Sequence, residues 1–368
     1  MQQKGYYIFF GSNSSGVIKK IDNQLEEIRK YCEVELITVE QKKRSFARVV
    51  YSCLPWVEIG FDYDCALEKM DNPTFVYVRR MTADSGYVDF FKKIKDCYPL
   101  CKVIVEIPTY PYFRDSYAHN FKHFVHSFPY YIKDVIYTRK LKKIVDRVLT
   151  FSNDESIYGV KTIRTGNGIK VEGIPVSQSK YDPNKLNLIS VAMYANHHGY
   201  ERVIRSMGEY YKNGGKRNLL YYCVGFGAEL DKYRKLVETY KLEDHVCFTG
   251  PKSGKELDEI FNKAHIGLDF FGAYKEGIHM ISSLKTIEYI SRGLPVATAV
   301  SVNVFQKYPC DFYIQFKNDA SNISINELVH FYDTIYQRNN LHEAIREYAK
   351  NTVDNSVVME SLIQFILN

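Results

Sequence analysis

The 368 residues carry 49 Lys and Arg against 43 Asp and Glu, a net charge of +6, and are 45% hydrophobic. That is enough chain and apolar content for two domains with separate cores. No apolar run is long enough to span a bilayer, and MQQKGYYIFF passes straight into a strand-like pattern instead of a signal-peptide core, so a cytoplasmic protein is expected. The eight cysteines are scattered without a Cys-x-x-Cys pair, and several stand in apolar runs (Cys53, Cys223, Cys247), which suits buried free thiols better than a disulfide framework. Cys97 and Cys101 flank an expected helix end and read as structural. Basic clusters occur at Lys42, Lys43 and Arg44, at Lys92, Lys93 and Lys95, and at Arg139, Lys140, Lys142 and Lys143. They fit phosphorylated substrates, an anionic membrane surface or solvated helix faces. No nucleic-acid motif accompanies them, and a nucleic-acid partner is not expected. The mixed aromatic and basic run FKHFVHSFPYYIKDVIYTRKLKK suits either a lipid headgroup layer or core packing.

In chain order, Tyr6 to Phe10 reads as a strand, Gly11 to Gly16 as a small-residue loop, and Val17, Ile18, Ile21, Leu25 and Ile28 as one face of a helix. The loop is not a full G-x-G-x-x-G and has no P-loop lysine, so it is a weak match to a dinucleotide-binding loop and a tight turn without a ligand is an equal reading. Further strands are expected at Val34 to Val39, Phe75 to Val78, Val103 to Glu106 and Val148 to Phe151. Arg79 and Glu106 stand at strand carboxyl ends, where charge is costly unless it faces a cleft. They read as ligand contacts or as a plain ion pair. His119, His123 and His126 have helical spacing, but without H-E-x-x-H no metal site is expected. Asp62-Tyr63-Asp64 is a D-x-D match of a kind that arises by chance. Asn167 and Gly168 suit a turn, and Val176 to Lys185 reads as the linker.

The second half restarts the pattern: a strand at Leu186 to Ala192, a helix at Gly199 to Tyr210, a strand at Leu219 to Val224 closed by Gly225, and a helix at Glu229 to Tyr240. Val246 to Thr249 follows as a strand. Gly250 to Glu256 falls one residue short of a P-loop and has Glu where Ser or Thr must hold magnesium, so Lys255 to Ala264 is read as an amphipathic helix with Ser253 as N-cap. The segment from Ile266 to Thr298 combines a strand, a glycine-bearing loop, a helix opening near Ser282 and Ser283, and a strand behind Gly293 and Pro295. Loops at strand carboxyl ends face the ligand crevice of an open parallel sheet, and a helix amino end offers unpaired N–H groups to an anion. A phosphate site is therefore expected at Gly277 to Ser283 and Lys285, with Leu284 and Ile287 turned to the core. Glu288, in the second turn, is placed for a ribose diol or as the solvated partner of Lys285. Helices close the chain at Ile325 to Gln337, Leu341 to Lys350 and Val357 to Leu367.

The run SLKTIEYISRGLPVAT resembles the donor-binding segment of GT-B glycosyltransferases, specifically family 4 and its bacterial polysaccharide-assembly members, in which a Lys-x-x-Glu-Tyr helix precedes Gly-x-Pro-Val. VYVRR with VIVEIPTYPY, Ser152 to Ile157, and the Asn-Gly-Ile element at Asn167 resemble matching parts of the same family. The resemblance implies an α/β fold of two doubly wound Rossmann-like domains facing a cleft. Residues 1–178 would be an acceptor-binding domain, to which 353–368 return, and residues 179–352 a nucleotide-sugar-binding domain. It implies metal-independent, cofactor-free transfer of a hexose, with retention, from a nucleotide sugar to a saccharide, lipid-linked or other glycoconjugate acceptor. Lys285 and Glu288 would be catalytic. Gly277, Ile278, Met280, Ser282, Ser283, His198, Gly225 and Gly250 would line the donor, and Gly11, Gly16, Arg79 and Glu106 the acceptor. A peripheral position at an anionic inner membrane face is compatible with this.

The chain departs from the family at Met280, where a Glu touches the donor sugar, and near Met193 and His198, where an Arg and a Lys hold the diphosphate. Two missing cations weaken diphosphate binding by about a few kcal/mol unless His198, Arg202 or Arg205 replaces them. These departures raise the alternative of a non-catalytic GT-B partner of an active glycosyltransferase.

Overall fold

The computed structural model describes residues 3–11, 15–42, 51, 54, 56–108, 110–112 and 121–368, with the side chains of 15–17, 19 and 121–126 outside that description. The chain divides into two compact units, Met1–Gly166 with Val358–Asn368, and Asn167–Val357.

Unit 1 contains β1 (Lys4–Phe10), α1 (Ser15–Ile28), β2 (Glu33–Val39), α2 (Tyr63–Glu68), β3 (Phe75–Arg79), α3 (Ser85–Cys97), β4 (Lys102–Glu106), α4 (Phe121–Thr138), β5 (Arg147–Thr150), β6 (Ser156–Ile157) and β7 (Val160–Arg164). Among the described residues the strands form one sheet in the order β2-β1-β3-β4-β5-β7-β6, parallel except for the antiparallel β6–β7 pair. The apolar continuity of β1 follows from burial on both faces. Tyr6, Ile8 and Phe10 pack with Val76, Val78, Val103 and Val105. Tyr7 and Phe9 pack on the other side with Tyr77, Ile104 and Leu149.

Unit 2 contains β8 (Lys185–Met193), α5 (Glu201–Lys212), β9 (Asn218–Phe226), α6 (Leu230–Tyr240), β10 (Val246–Gly250), α7 (Gly254–Phe261), β11 (Ile266–Leu268), β12 (Met280–Ile281), α8 (Leu284–Ser291), β13 (Val296–Thr298), β14 (Ser301–Val302), α9 (Asn303–Lys307), β15 (Tyr313–Gln315), α10 (Ile325–Ile335) and α11 (Leu341–Thr352). Its sheet runs β10-β9-β8-β11-β13-β15, parallel throughout. The chain therefore leaves β8 in one direction to β9 and β10, then returns to build β11, β13 and β15 on the opposite side. The topological switch point lies between β8 and β11, the position at which open α/β sheets bind ligands.

A short helix α12 (Asn355–Val358) leads to α13 (Glu360–Leu367), which covers unit 1. Met359, Leu362, Ile363 and Ile366 join the layer of Tyr7 and Ile104, and Lys102 Nζ donates to the carbonyl oxygens of Phe365 and Ile366 at 3.0 Å. The first crossing between units falls at Gly166 and Asn167, whereas 178/179 is the boundary expected from the sequence. Residues 176–185 are not a free linker: Ser177 is buried, its N–H donates to Arg292 O at 2.8 Å, and its hydroxyl to Phe261 O at 3.0 Å.

Cys223 is buried, as expected of a thiol in an apolar run, but Cys247 is exposed because β10 is the edge strand. Cys53 and His119 lie outside the described residues, as do the side chains of His123 and His126. Among the described residues no helix is long and apolar enough to cross a membrane.

Candidate functional site

The site is built where β8 and β11 part. The two strands pair over Ile266 with Leu188 and Gly267 with Ile189. Beyond that the Tyr289 hydroxyl of α8 stands between them, accepting from Val191 N–H at 3.1 Å and donating to Leu268 O at 3.2 Å. The loops that follow the two strands are held together by backbone. Phe271 N–H donates to His198 O at 2.7 Å, and Gly199, at φ +68°, lies so close to Gly272 that a Cβ on it would stand 2.3 Å from the Gly272 nitrogen. Glycine is therefore required at Gly199 both by conformation and by space.

His198 enters from the loop after β8 in a short 3-10 turn, Asn196–His198. Its ring is buried and stacks on Tyr200 and Phe270, with centroids 5.7 and 4.9 Å away. Its Nδ1 accepts from Ala195 N–H at 3.0 Å. Burial first, then the charges of Lys285 and His197, push its pKa down to about 2, so the ring is neutral at physiological pH. With Nδ1 accepting, the single proton sits on Nε2, which is then a donor without a positive charge.

Lys285 enters from the first turn of α8. Its Nζ lies 3.5 Å above the centre of the Phe270 ring and 3.5 Å from Asp269 Oδ1. Burial lowers its proton affinity, and Asp269 opposes that shift. Asp269, fully buried at the carboxyl end of β11, also accepts from Ser283 Oγ at 2.7 Å and from Thr286 Oγ1 at 2.5 Å. Ser283 caps α8, its hydroxyl accepting from Thr286 N–H at 3.3 Å. The N–H groups of Leu284 and Lys285 have no acceptor among the described residues. A helix amino end with free donors, a lysine and a neutral histidine donor are the kinds of group that an anion takes.

Several expected contributors are placed elsewhere. The N–H groups of Gly277 and Ile278 are consumed by their own turn, bonding to Tyr274 O at 3.0 Å and Ala273 O at 3.1 Å, while Ile278 O accepts from Asn318 Nδ2 at 2.7 Å. Met280 lies in β12, paired with Ser301 and half exposed, and offers no polar side chain. Ser282 is tied to the Asn-Gly turn: its Oγ accepts from Asn167 N–H at 3.3 Å and its carbonyl from Asn167 Nδ2 at 2.8 Å. Leu284 is exposed, not in the core, whereas Thr286, Ile287 and Tyr289 are buried.

Glu288 does not pair with Lys285. Its Oε1 accepts from both Nε and Nη2 of Arg292 at 3.2 Å, and Arg292 Nη1 reaches Asp258 at 2.6 Å. Glu288 Oε2 keeps its accepting capacity among the described residues. Gly225 faces Ala192, whose carbonyl oxygen would stand 2.0 Å from an added Cβ, so close strand packing accounts for the glycine. Gly250 ends the edge strand β10, separated from β8 by β9. Arg202 is fully buried and spends its guanidinium on the carbonyls of Phe271, Lys317 and Ser321, so it does not replace a missing cation.

In unit 1, Gly11 has φ +135° and Gly16 falls within the first turn of α1, so the loop after β1 is shorter than expected; 12–14 lie outside the description. Glu106 is fully enclosed instead of facing a ligand. It takes Lys20 Nζ at 2.8 Å and the hydroxyls of Tyr77 and Tyr7 at 2.9 and 3.4 Å. Burial pushes its carboxyl up, but Lys20 and Arg79 outweigh that and hold it below the ordinary value. Arg79 is its register neighbour on β3.

Sequence reading passed over Asp269 and Phe270. The signal was present, since Asp269 ends the apolar run IGLD, and a carboxylate at a strand's carboxyl end needs a partner. Among the described residues no group of three or more His, Cys, Asp or Glu is placed to hold a metal ion.

Residues 176–352 match the family model described as glycosyl transferases group 1. The whole chain is similar in structure to a glycosyltransferase from Rickettsia africae, at 11% identity, TM-score 0.65, and coverage of 100% of this chain and 99% of the other. Anabaena HepE, solved in complex with UDP and glucose, aligns over 100% of both chains at 8% identity and TM-score 0.61. WaaG, a glycosyltransferase involved in lipopolysaccharide biosynthesis, aligns over 98% of this chain and 99% of its own at 15% identity and TM-score 0.61. No curated protein sequence matches the chain significantly. Residues 176–352 thus resemble glycosyl transferases group 1, in a chain with the GT-B fold.

Proposed function

We propose that unit 2 binds a nucleotide-sugar donor at the carboxyl edge of its sheet, and that the protein is a retaining hexosyltransferase of surface polysaccharide or glycoconjugate assembly. One observation carries this reading: Lys285, the Nε2 donor of His198 and the free N–H groups of α8 converge at the switch point of the sheet. That is the donor chemistry a diphosphate requires. The UDP bound by HepE and the involvement of WaaG in lipopolysaccharide biosynthesis support the same reading.

In the proposed reaction the bond between the sugar's anomeric carbon and the leaving phosphate oxygen breaks, and a bond to the acceptor hydroxyl forms on the same face. The acceptor proton passes to the leaving phosphate. Lys285, His198 and the helix amino end stabilise the charge that develops there, so the reaction takes no metal. Glu288 Oε2 accepts from the ribose while Arg292 holds its other oxygen. A saccharide or lipid-linked hydroxyl is the acceptor, with Gly11, Gly16 and Arg79 nearest the strand ends of unit 1. The exposed Arg139, Lys140, Lys142 and Lys143 suit a peripheral position on an anionic membrane. Failure to sediment with anionic vesicles at low salt would remove that last element.

Calorimetric titration with UDP, GDP, dTDP and CMP, repeated on Lys285→Ala, tests the donor site. One nucleotide is expected to bind the wild type and to be lost in the variant. A folded wild type that binds none of them overturns the reading. It would favour a non-catalytic partner of an active glycosyltransferase, the reading to which the apolar Met280 and Met193 point.

A further inference from the structure

Asp269 has no direct task in donor binding, yet it is held by three side chains of the site. Its carboxylate is fully enclosed at the carboxyl end of β11. Desolvation makes such a group costly, and its negative charge lies beneath a site meant for an anion. Both costs have a physical return in what the carboxylate grips. Ser283 at the N-cap, Lys285 and Thr286 all reach it, at 2.7, 3.5 and 2.5 Å. One carboxylate therefore ties the strand end to the amino end of α8 and gives the lysine a fixed counter-ion.

We propose that Asp269 is the positioning residue of the anion site, holding the ammonium of Lys285 and the first-turn N–H groups of α8 toward a phosphate-bearing donor. The proposal rests on the nucleotide-sugar reading above. The groups facing Lys285 are Asp269 and Phe270 from the loop after β11 and the neutral His198 from the loop after β8. Neighbouring charges are engaged elsewhere: His197 with Glu276 at 3.2 Å, Lys275 with Asn196 and Glu201, and Glu288 with Arg292. Asp269 is thus the carboxylate that keeps Lys285 protonated against its burial.

The test measures affinity for UDP, then for GDP and dTDP, between neutral and alkaline pH, for the wild type, Asp269→Asn and Asp269→Glu. Wild-type binding should decline on the alkaline side as Lys285 loses its proton. In Asp269→Asn, affinity at pH 7.5 should fall about tenfold, the scale of one charge-assisted hydrogen bond, although removing a negative charge near an anion would by itself strengthen binding. Its alkaline decline should also move down by about one pH unit, because the lysine has lost its counter-ion. A purely structural lesion would weaken binding at every pH without moving the decline.

Asp269→Glu keeps the charge and alters its reach, so it should bind about tenfold more weakly with the decline near its wild-type position. Wild-type affinity in either variant, or an unmoved decline in Asp269→Asn, overturns the proposal. If Asp269→Asn does not fold, Asp269→Ser, which also removes the charge, is measured in its place with the same downward move of the decline expected, and an unmoved decline overturns the proposal. Absence of binding by the wild type itself overturns the donor reading and this inference with it, an outcome distinct from variants that bind like the wild type.

Discussion

Each sheet buries a carboxylate at the carboxyl end of a strand, and the two put it to different use. Glu106 in unit 1 is closed in by Lys20, Tyr77 and Tyr7, groups from a helix and two strands of its own layer. Its charge holds the interior together. Asp269 in unit 2 is held by Ser283, Thr286 and Lys285, all from the amino end of one helix, and that helix keeps N–H donors free. Its charge arranges other donors around a space. A charged residue at a strand's carboxyl end is therefore not a ligand contact by position alone. The elements that supply its partners decide.

The largest expected contrast follows from breaking the first arrangement. Lys20→Met leaves Glu106 enclosed with only Arg79 as a nearby cation, and should lower stability by about 3 kcal/mol in urea unfolding, with nucleotide affinity unmoved. A loss of affinity with unchanged stability would mean that the unit 1 cluster serves a ligand after all. Lys285→Ala should reduce nucleotide affinity about a hundredfold by calorimetry, and it should lower stability as well, because Asp269 stays enclosed with Ser283 and Thr286 as donors but without its cation.

Glu288→Gln sharpens the picture within unit 2. It removes the charge offered to the ribose and should weaken nucleotide binding about tenfold. Full affinity there would reduce Glu288 to the partner of Arg292 seen in its ion pair.

Acid should separate the units by pH window. His198 and His265 in unit 2 are buried and neutral, with pKa values lowered, mainly by burial, to about 2 and about 4. An unfolded chain takes up their protons near pH 6.5 and the folded one does not, so the stability they contribute is present above that pH and is lost as pH falls. Between pH 7.5 and 6 the loss should be about 1 kcal/mol for each. Glu106, held below its ordinary value of 4.5, contributes stability that is lost only at lower pH, as pH falls through its folded pKa. Unfolding followed by a probe in each unit should record an earlier acid loss in unit 2.

Much of the fold was legible. The strand at Tyr6 to Phe10 and the restart at Leu186 are written in apolar runs, because burial on two faces of a parallel sheet demands them, and the terminal helix is written in its apolar period, but its return to unit 1 was implied only by the family resemblance. Lys285 and the cap at Ser283 were legible for a similar reason, since a helix start has a local signature. The boundary at Asn167 was harder to read, because Ser177 is polar yet packed against Arg292 and Phe261, and composition does not distinguish a polar linker from a polar strap.

The sequence by itself determined the alternation of strand and helix, the two parallel sheets and the helix that opens behind Ser283. These depend on periodicity and capping within a few residues. Tertiary structure alone decided that Arg202 is spent on backbone carbonyls, that His198 is a neutral donor and that Asp269 lies against Lys285. Arg202 and Phe271, or His198 and Lys285, are far apart in the chain. Pairing and desolvation between such residues depend on which strand ends the sheet order brings together.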